Sequence, residues 1–117
     1  AEVAKLMMDA GLIVMTAFIS PFRAERDMAR ELIGAEKFTE VFVDTPLEVC
    51  ETRDPKGLYR KAINGLLPNM TGINSPYERP MQPDLIIRTI ITNNAAAVAE
   101  IINYLAEMNK ATLPNSN

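Results

Sequence analysis

Leu12-Ile13-Val14-Met15-Thr16-Ala17-Phe18-Ile19, followed at once by Ser20-Pro21-Phe22-Arg23, is the stretch that decides the fold. Only Thr16 interrupts the apolar run, and so uniform a segment suits a strand buried on both faces of a helix-covered parallel sheet. Upstream, Val3, Leu6, Met7 and Ala10 recur at the spacing of one helical face, and Gly11 ends that helix. Downstream, Ser20 and Pro21 read as N-cap and first residue of a second helix running to about Ile33 and stopped by Gly34.

The pattern then repeats. Phe38 to Asp44 (FTEVFVD) is a second strand-like run, and Thr45-Pro46 opens a helix carrying Leu47, Val49 and Cys50 that ends near Arg53-Asp54-Pro55. Lys56 to Gly65 reads as a short basic helix. Pro68, Gly72, Pro76, Pro80 and Pro83 make Leu66 to Pro83 a loop. Leu85-Ile86-Ile87 forms a third strand, and Ala95 to Met108 a last amphipathic helix with Val98, Ile101, Ile102 and Leu105 facing inward. Residues 111–117 are expected to be a disordered tail behind a partial domain spanning 1–110. Strands alternating with helices predict an α/β fold with a parallel sheet. Ligands of such sheets lie beyond the carboxyl ends of the strands, here Ser20 to Arg23 and Asp44 to Pro46.

Composition closes several other routes. The 117 residues suffice for one domain and contain no histidine, so Ser-His-Asp, Cys-His and His-ligated metal chemistry are excluded. A single cysteine, Cys50, allows no internal disulfide. A net charge of −3 argues against nucleic acid as a partner. No apolar run approaches a membrane span, and the expected location is the cytoplasm.

Two clusters can carry chemistry. Ser20 sits at a strand end before a helix on which Arg23, Arg26 and Arg30 share a face. Two readings stand: an anion site at a helix start, or a plain cap beside a solvated arginine face. In Arg53-Asp54-Pro55-Lys56-Gly57-Leu58-Tyr59-Arg60-Lys61, Pro55 and Gly57 flank Lys56 on a turn that can serve as a lid over a phosphorylated ligand. A solvated basic surface is the alternative. The five glycines nowhere form GxxxxGK[ST], so these residues do not supply a phosphate loop of that kind.

Thr16-Ala17-Phe18-Ile19-Ser20-Pro21-Phe22-Arg23-Ala24-Glu25-Arg26 resembles adenylylsulfate kinase. The likeness continues through Glu40 to Glu51 (EVFVDTPLEVCE), Arg53 to Tyr59 (RDPKGLY), Thr71-Gly72-Ile73 and Pro76-Tyr77-Glu78. This resemblance implies a three-layer P-loop kinase-like parallel sheet, incomplete here because the central first strand and the P-loop are absent from the chain. It implies transfer of the ATP γ-phosphate to the 3′-hydroxyl of adenylylsulfate, giving 3′-phosphoadenylylsulfate. Mg²⁺ would accompany ATP, with no protein ligand for it identified in the chain. A homodimer, or fusion to ATP sulfurylase, is the implied assembly.

Carried over by resemblance, Ser20 falls at the family's phosphoserine position. Positioning, Mg²⁺ and charge neutralisation suffice for direct in-line transfer, so Ile19 and Ser20 are read as backbone contacts to the sulfonucleotide. Lys56 matches the lid lysine at the adenylylsulfate site. Arg53 matches the arginine beside the ATP adenine, and Thr92 an adenine contact after the last strand. Asn69 and Met70 match the pair whose aromatic ring stacks on the substrate adenine; Met70 replaces that ring with a thioether. Asn74 stands where the family has aspartate, and Leu66-Leu67-Pro68 replaces a more polar stretch. The resemblance places the phosphate loop before the helix that opens this chain, and the isolated chain is therefore expected to be inactive. The alternative is a non-catalytic nucleotide-binding or assembly remnant of the family. Kinship with another nucleoside or sugar kinase would have to explain FISPFR and RDPKGLY occurring together.

Overall fold

The computed structural model describes the backbone of residues 1–112 and side chains as far as Met108. Helix α1 (Glu2–Asp9) is followed by α2 (Arg23–Ile33), a 3₁₀ turn (Ala35–Lys37), β1 (Val41–Asp44), α3 (Leu47–Arg53), α4 (Leu58–Ile63), β2 (Leu85–Arg88) and α5 (Asn94–Thr112). The two strands are parallel, with Val41 opposite Leu85 and Asp44 opposite Arg88. Residues 45–84, including α3 and α4, form the crossover that a parallel pair requires. Just outside the ladder, Asp84 and Leu85 donate their N–H groups to the Glu40 carbonyl, and Thr89 donates to that of Asp44.

The hydrophobic centre lies on this pair. Phe42, Ile87 and Ala62 are the buried apolar residues among those described. Side chains alternate across a strand, so Phe42 and Ile87 serve opposite faces. Over Phe42, Tyr77 stacks at 6.4 Å between ring centroids. The Arg79 guanidinium lies 5.0 Å from the Phe42 ring and pairs with Asp44 at 3.0 Å.

The run Leu12 to Ile19, expected as a strand, forms no ladder among the described residues. A strand exists through cross-strand hydrogen bonds, and this segment has no neighbour to supply them. Its side chains are correspondingly wet: Ile13 is 84%, Met15 85% and Phe18 82% exposed. On α5, Val98 and Ile102 are exposed rather than inward-facing, as are Val3, Leu6 and Met7 on α1. The radius of gyration, 16.9 Å, exceeds the roughly 13 Å of a compact domain of this length. The structure is thus an incomplete α/β layer arrangement with a two-stranded parallel sheet and uncovered apolar faces.

Smaller boundaries also move. The second helix begins at Arg23, not Pro21, and its N-cap is Phe22. The basic helix is confined to Leu58–Ile63, because Gly57 at φ 65° holds the left-handed turn that precedes it. The last helix continues through Thr112, so the first two residues of the expected tail are helical. Residues 113–117 of that tail lie outside the described residues.

Candidate functional site

The segment before α2 is shaped from a distance. Ser20 does not cap the helix; its backbone takes φ 44°. In its place the Glu78 carboxylate accepts the Arg23 N–H at 2.8 Å, a charge-assisted cap at the positive end of the helix. Glu78 also donates its N–H to the Pro21 carbonyl at 2.8 Å, and Arg23 Nε donates to the Arg79 carbonyl at 2.9 Å. Residues 78–79 and 21–23 are thereby laced together across more than fifty positions of sequence.

The expected arginine face is committed to contacts within the fold. Arg26 Nε lies 2.8 Å from Glu40 Oε1. Arg30 donates to Asp84 Oδ2 at 2.6 Å and stands 3.6 Å from Glu40 Oε2. Asp84 Oδ2 accepts the Glu40 N–H as well, at 2.7 Å. Burial would push the Asp84 carboxyl upward, but Arg30 and the Glu40 N–H outweigh it and hold it below the usual carboxylate range. The Asp84 hydrogen bond in turn raises Arg30, against the opposing effect of burial. These residues line a cleft of about 460 Å³ with Asp27, Pro80 and Met81. Arg26 and Arg30 are balanced by Glu40 and Asp84, and Arg23 is bonded to the Arg79 carbonyl, so the arginine row is a structural network rather than a free anion site.

The carboxyl end of β2 carries a second cleft, of about 740 Å³, lined by Arg53 and residues 89–95. Arg53 reaches it from the end of α3, donating to the Thr89 hydroxyl at 3.2 Å and carbonyl at 2.9 Å. The hydroxyls of Thr45 and Thr89 meet at 2.6 Å, tying the two strand ends together. Thr92 belongs to the same wall. The structure therefore brings Arg53 and Thr92 to one cavity from positions far apart in sequence, at the strand ends where parallel sheets bind ligands.

Lys56 occupies an exposed turn. The Gly57 N–H closes it on the Asp54 carbonyl at 3.0 Å. The Asp54 carboxylate accepts the N–H groups of Tyr59 and Arg60, both at 3.1 Å. Desolvation opposes ionisation there, yet the backbone donors of Arg60, Tyr59 and Leu58 prevail and lower the Asp54 pKa. Nearby, burial and then the Cys50 thiol raise the Tyr59 phenol.

Asn69 and Met70 begin another turn, with Asn69 at φ 59°. Asn74 builds it: its side chain accepts the Met70 N–H and donates to the Leu67 carbonyl at 3.4 Å. An aspartate can do the first and not the second. Among the described residues, no hydrogen bond or ion pair joins Ile19 or Ser20 to Lys56, Asn69 or Met70. Those five positions lie on three separate segments of the chain. Sequence reading passed over Glu40, Glu78 and Asp84, whose partners are remote; Glu78 stood inside a quoted motif with no role attached. Among the described residues no group of three His, Cys, Asp or Glu side chains is placed to hold a metal ion.

A family model, Adenylylsulphate kinase, matches residues 1–88. The chain is 59% identical over 108 residues to an adenylyl-sulfate kinase of Aeromonas salmonicida, covering 92% of this chain and 55% of that protein. It is 57% identical over 105 residues to the bifunctional enzyme NodQ of Rhizobium tropici, covering 90% of this chain and 17% of that one. A solved structure of the Mycobacterium tuberculosis APS kinase in complex with AMPPNP and APS superposes with a TM-score of 0.83 at 44% identity, over 90% of this chain and 61% of the other. The chain spans about half the length of the curated kinases it matches. Matched by that family model over most of its length, and similar in fold to a solved APS kinase at 44% identity, this chain belongs to the adenylylsulfate kinase family, and its fold is a part of the P-loop kinase fold.

Proposed function

We propose that these residues form the substrate and lid half of a kinase that moves the ATP γ-phosphate to the 3′-hydroxyl of adenylylsulfate. The observation that carries the reading is the convergence of Arg53 and Thr92 on the cleft at the carboxyl end of β2. The match to a kinase solved with an ATP analogue and APS supports it. Arg53 and Thr92 serve the nucleotide base. Lys56, on a turn whose base is locked by Asp54, brings an ammonium over the phosphosulfate. Ile19 and Ser20 meet the sulfonucleotide through their backbone, and Asn69 and Met70 lie along its adenine. In-line phosphoryl transfer depends on positioning and charge neutralisation, and these residues position. Matching 17% of a bifunctional enzyme fits a domain that also occurs fused to a second activity, for which ATP sulfurylase is the proposed partner.

The test joins the amino-terminal half of the Aeromonas salmonicida relative to Ala1 and assays 3′-phosphoadenylylsulfate with Mg-ATP in a coupled system. The completed protein should turn over, and the 117 residues alone should not. A completed protein that folds but gives no heat with adenylylsulfate in calorimetry would favour the non-catalytic remnant instead.

A further inference from the structure

Ser20 lies at φ 44°, a region that non-glycine residues keep only where surrounding contacts over-determine it. Arg26 supplies those contacts. Its guanidinium donates from Nη1 to the Ser20 carbonyl and from Nη2 to the Glu78 carbonyl at 2.7 Å. Its Nε stands 2.8 Å from Glu40 Oε1, and its Cζ lies 5.9 Å from the centroid of the Tyr77 ring. The side chain is 10% exposed. One planar fork thus joins three segments distant in sequence: the turn before α2, the entry to β1, and Tyr77-Glu78. Pro21 has no N–H to offer, and among the described residues the N–H and hydroxyl of Ser20 have no hydrogen-bond partner. With the carbonyl drawn toward α2, those two groups are left for a ligand.

We propose that Arg26 is a positioning residue, which holds the Ser20 backbone in the orientation that meets adenylylsulfate and fixes Tyr77 and Glu78 against it. This inference rests on the proposed function and deepens it by naming what sets the sulfonucleotide affinity. Lysine keeps the charge but is a single point without the fork, so it cannot hold both carbonyls and Glu40 in the same geometry. The ATP cleft involves none of these contacts.

The experiment compares R26K and E40Q in the completed, active protein, assayed well below their melting temperatures. R26K should raise KM for adenylylsulfate at least tenfold, with KM for ATP and kcat within about twofold of the parent. E40Q leaves both carbonyl contacts of Arg26 in place, so its KM for adenylylsulfate should stay within about twofold. Equal changes in both KM values for R26K, an equal rise in E40Q, or an R26K protein that does not fold would each overturn the positioning role. An inactive parent protein would instead refute the proposed function, which keeps the two failures apart.

Discussion

Replacing Asp84 by asparagine tests whether the Arg30–Asp84–Glu40 network holds α2 against the strand pair. Asp84 Oδ2 accepts two hydrogen bonds, from Arg30 at 2.6 Å and from the Glu40 N–H at 2.7 Å. Hydrogen bonds to a charged group contribute about 1.5–3 kcal/mol each. The side chain is 24% exposed and asparagine retains one acceptor oxygen, so the loss should be about 2 kcal/mol. In a completed protein of kinase size, that corresponds to a Tm lower by roughly 4–8 °C. The effect carries a pH signature. Asp84 has a folded pKa held below its unfolded value, so its contribution is present above the unfolded value of about 3.9 and is lost as pH falls through the lower, folded one. Urea unfolding followed by circular dichroism from pH 7 down to pH 3 should show the gap between parent and D84N at its widest above about pH 5 and narrowing below about pH 4. A gap of the same size at pH 7 and pH 3, or none at pH 7, would refute the assignment of an ionised Asp84 paired with Arg30.

Other outcomes follow from single contacts. Arg53→Ala removes both bonds to Thr89 and one wall of the strand-end cleft. Steady-state kinetics on the completed protein should show KM for ATP about tenfold higher, the equivalent of about 1.4 kcal/mol, with KM for adenylylsulfate little changed. Asn74→Asp keeps the bond from the Met70 N–H and loses the long one to the Leu67 carbonyl. It should cost less than about 1 kcal/mol in urea unfolding, and calorimetry should find the adenylylsulfate Kd shifted by less than about threefold; a tenfold shift would mean that residue 74 acts through its charge.

The local patterns carried much of the fold into view. Phe38 to Asp44 and Leu85 to Ile87 contain the strands that pair, because β-branched and aromatic runs between turn residues suit a pleated, buried pair; the first strand is shorter than expected, beginning at Val41. The prolines of residues 66–83 excluded regular structure there. Leu12 to Ile19 carried the same signal and has no ladder, since a strand is a property of a pair and periodicity describes one segment. Val98 and Ile102 are exposed for a related reason: an apolar stripe names a face, not the surface that covers it.

The candidate site was legible where residue type and chemistry coincide, and opaque where they diverge. Arg53 and Thr92 were named by family resemblance and line one cleft. Arg23, Arg26 and Arg30 could be read as an anion site or as a solvated face, because helical spacing shows charges and hides their partners. Glu78 and Asp84 reach Arg23 and Arg30 from 55 and 54 positions away, and Glu40 reaches Arg26 from the entry to β1. Ser20 seemed to be a cap for the same reason; the cap is the Glu78 carboxylate, which sequence spacing cannot supply.

The most direct measurement is where the phosphate goes. The completed protein is supplied with γ-labelled Mg-ATP and adenylylsulfate, and the product is resolved by phosphorus NMR. The account predicts the label on the 3′-oxygen of adenylylsulfate, with none on the 117 residues alone. Label retained on Ser20 without transfer, label on another acceptor, or no transfer from a folded protein that binds both nucleotides would contradict it.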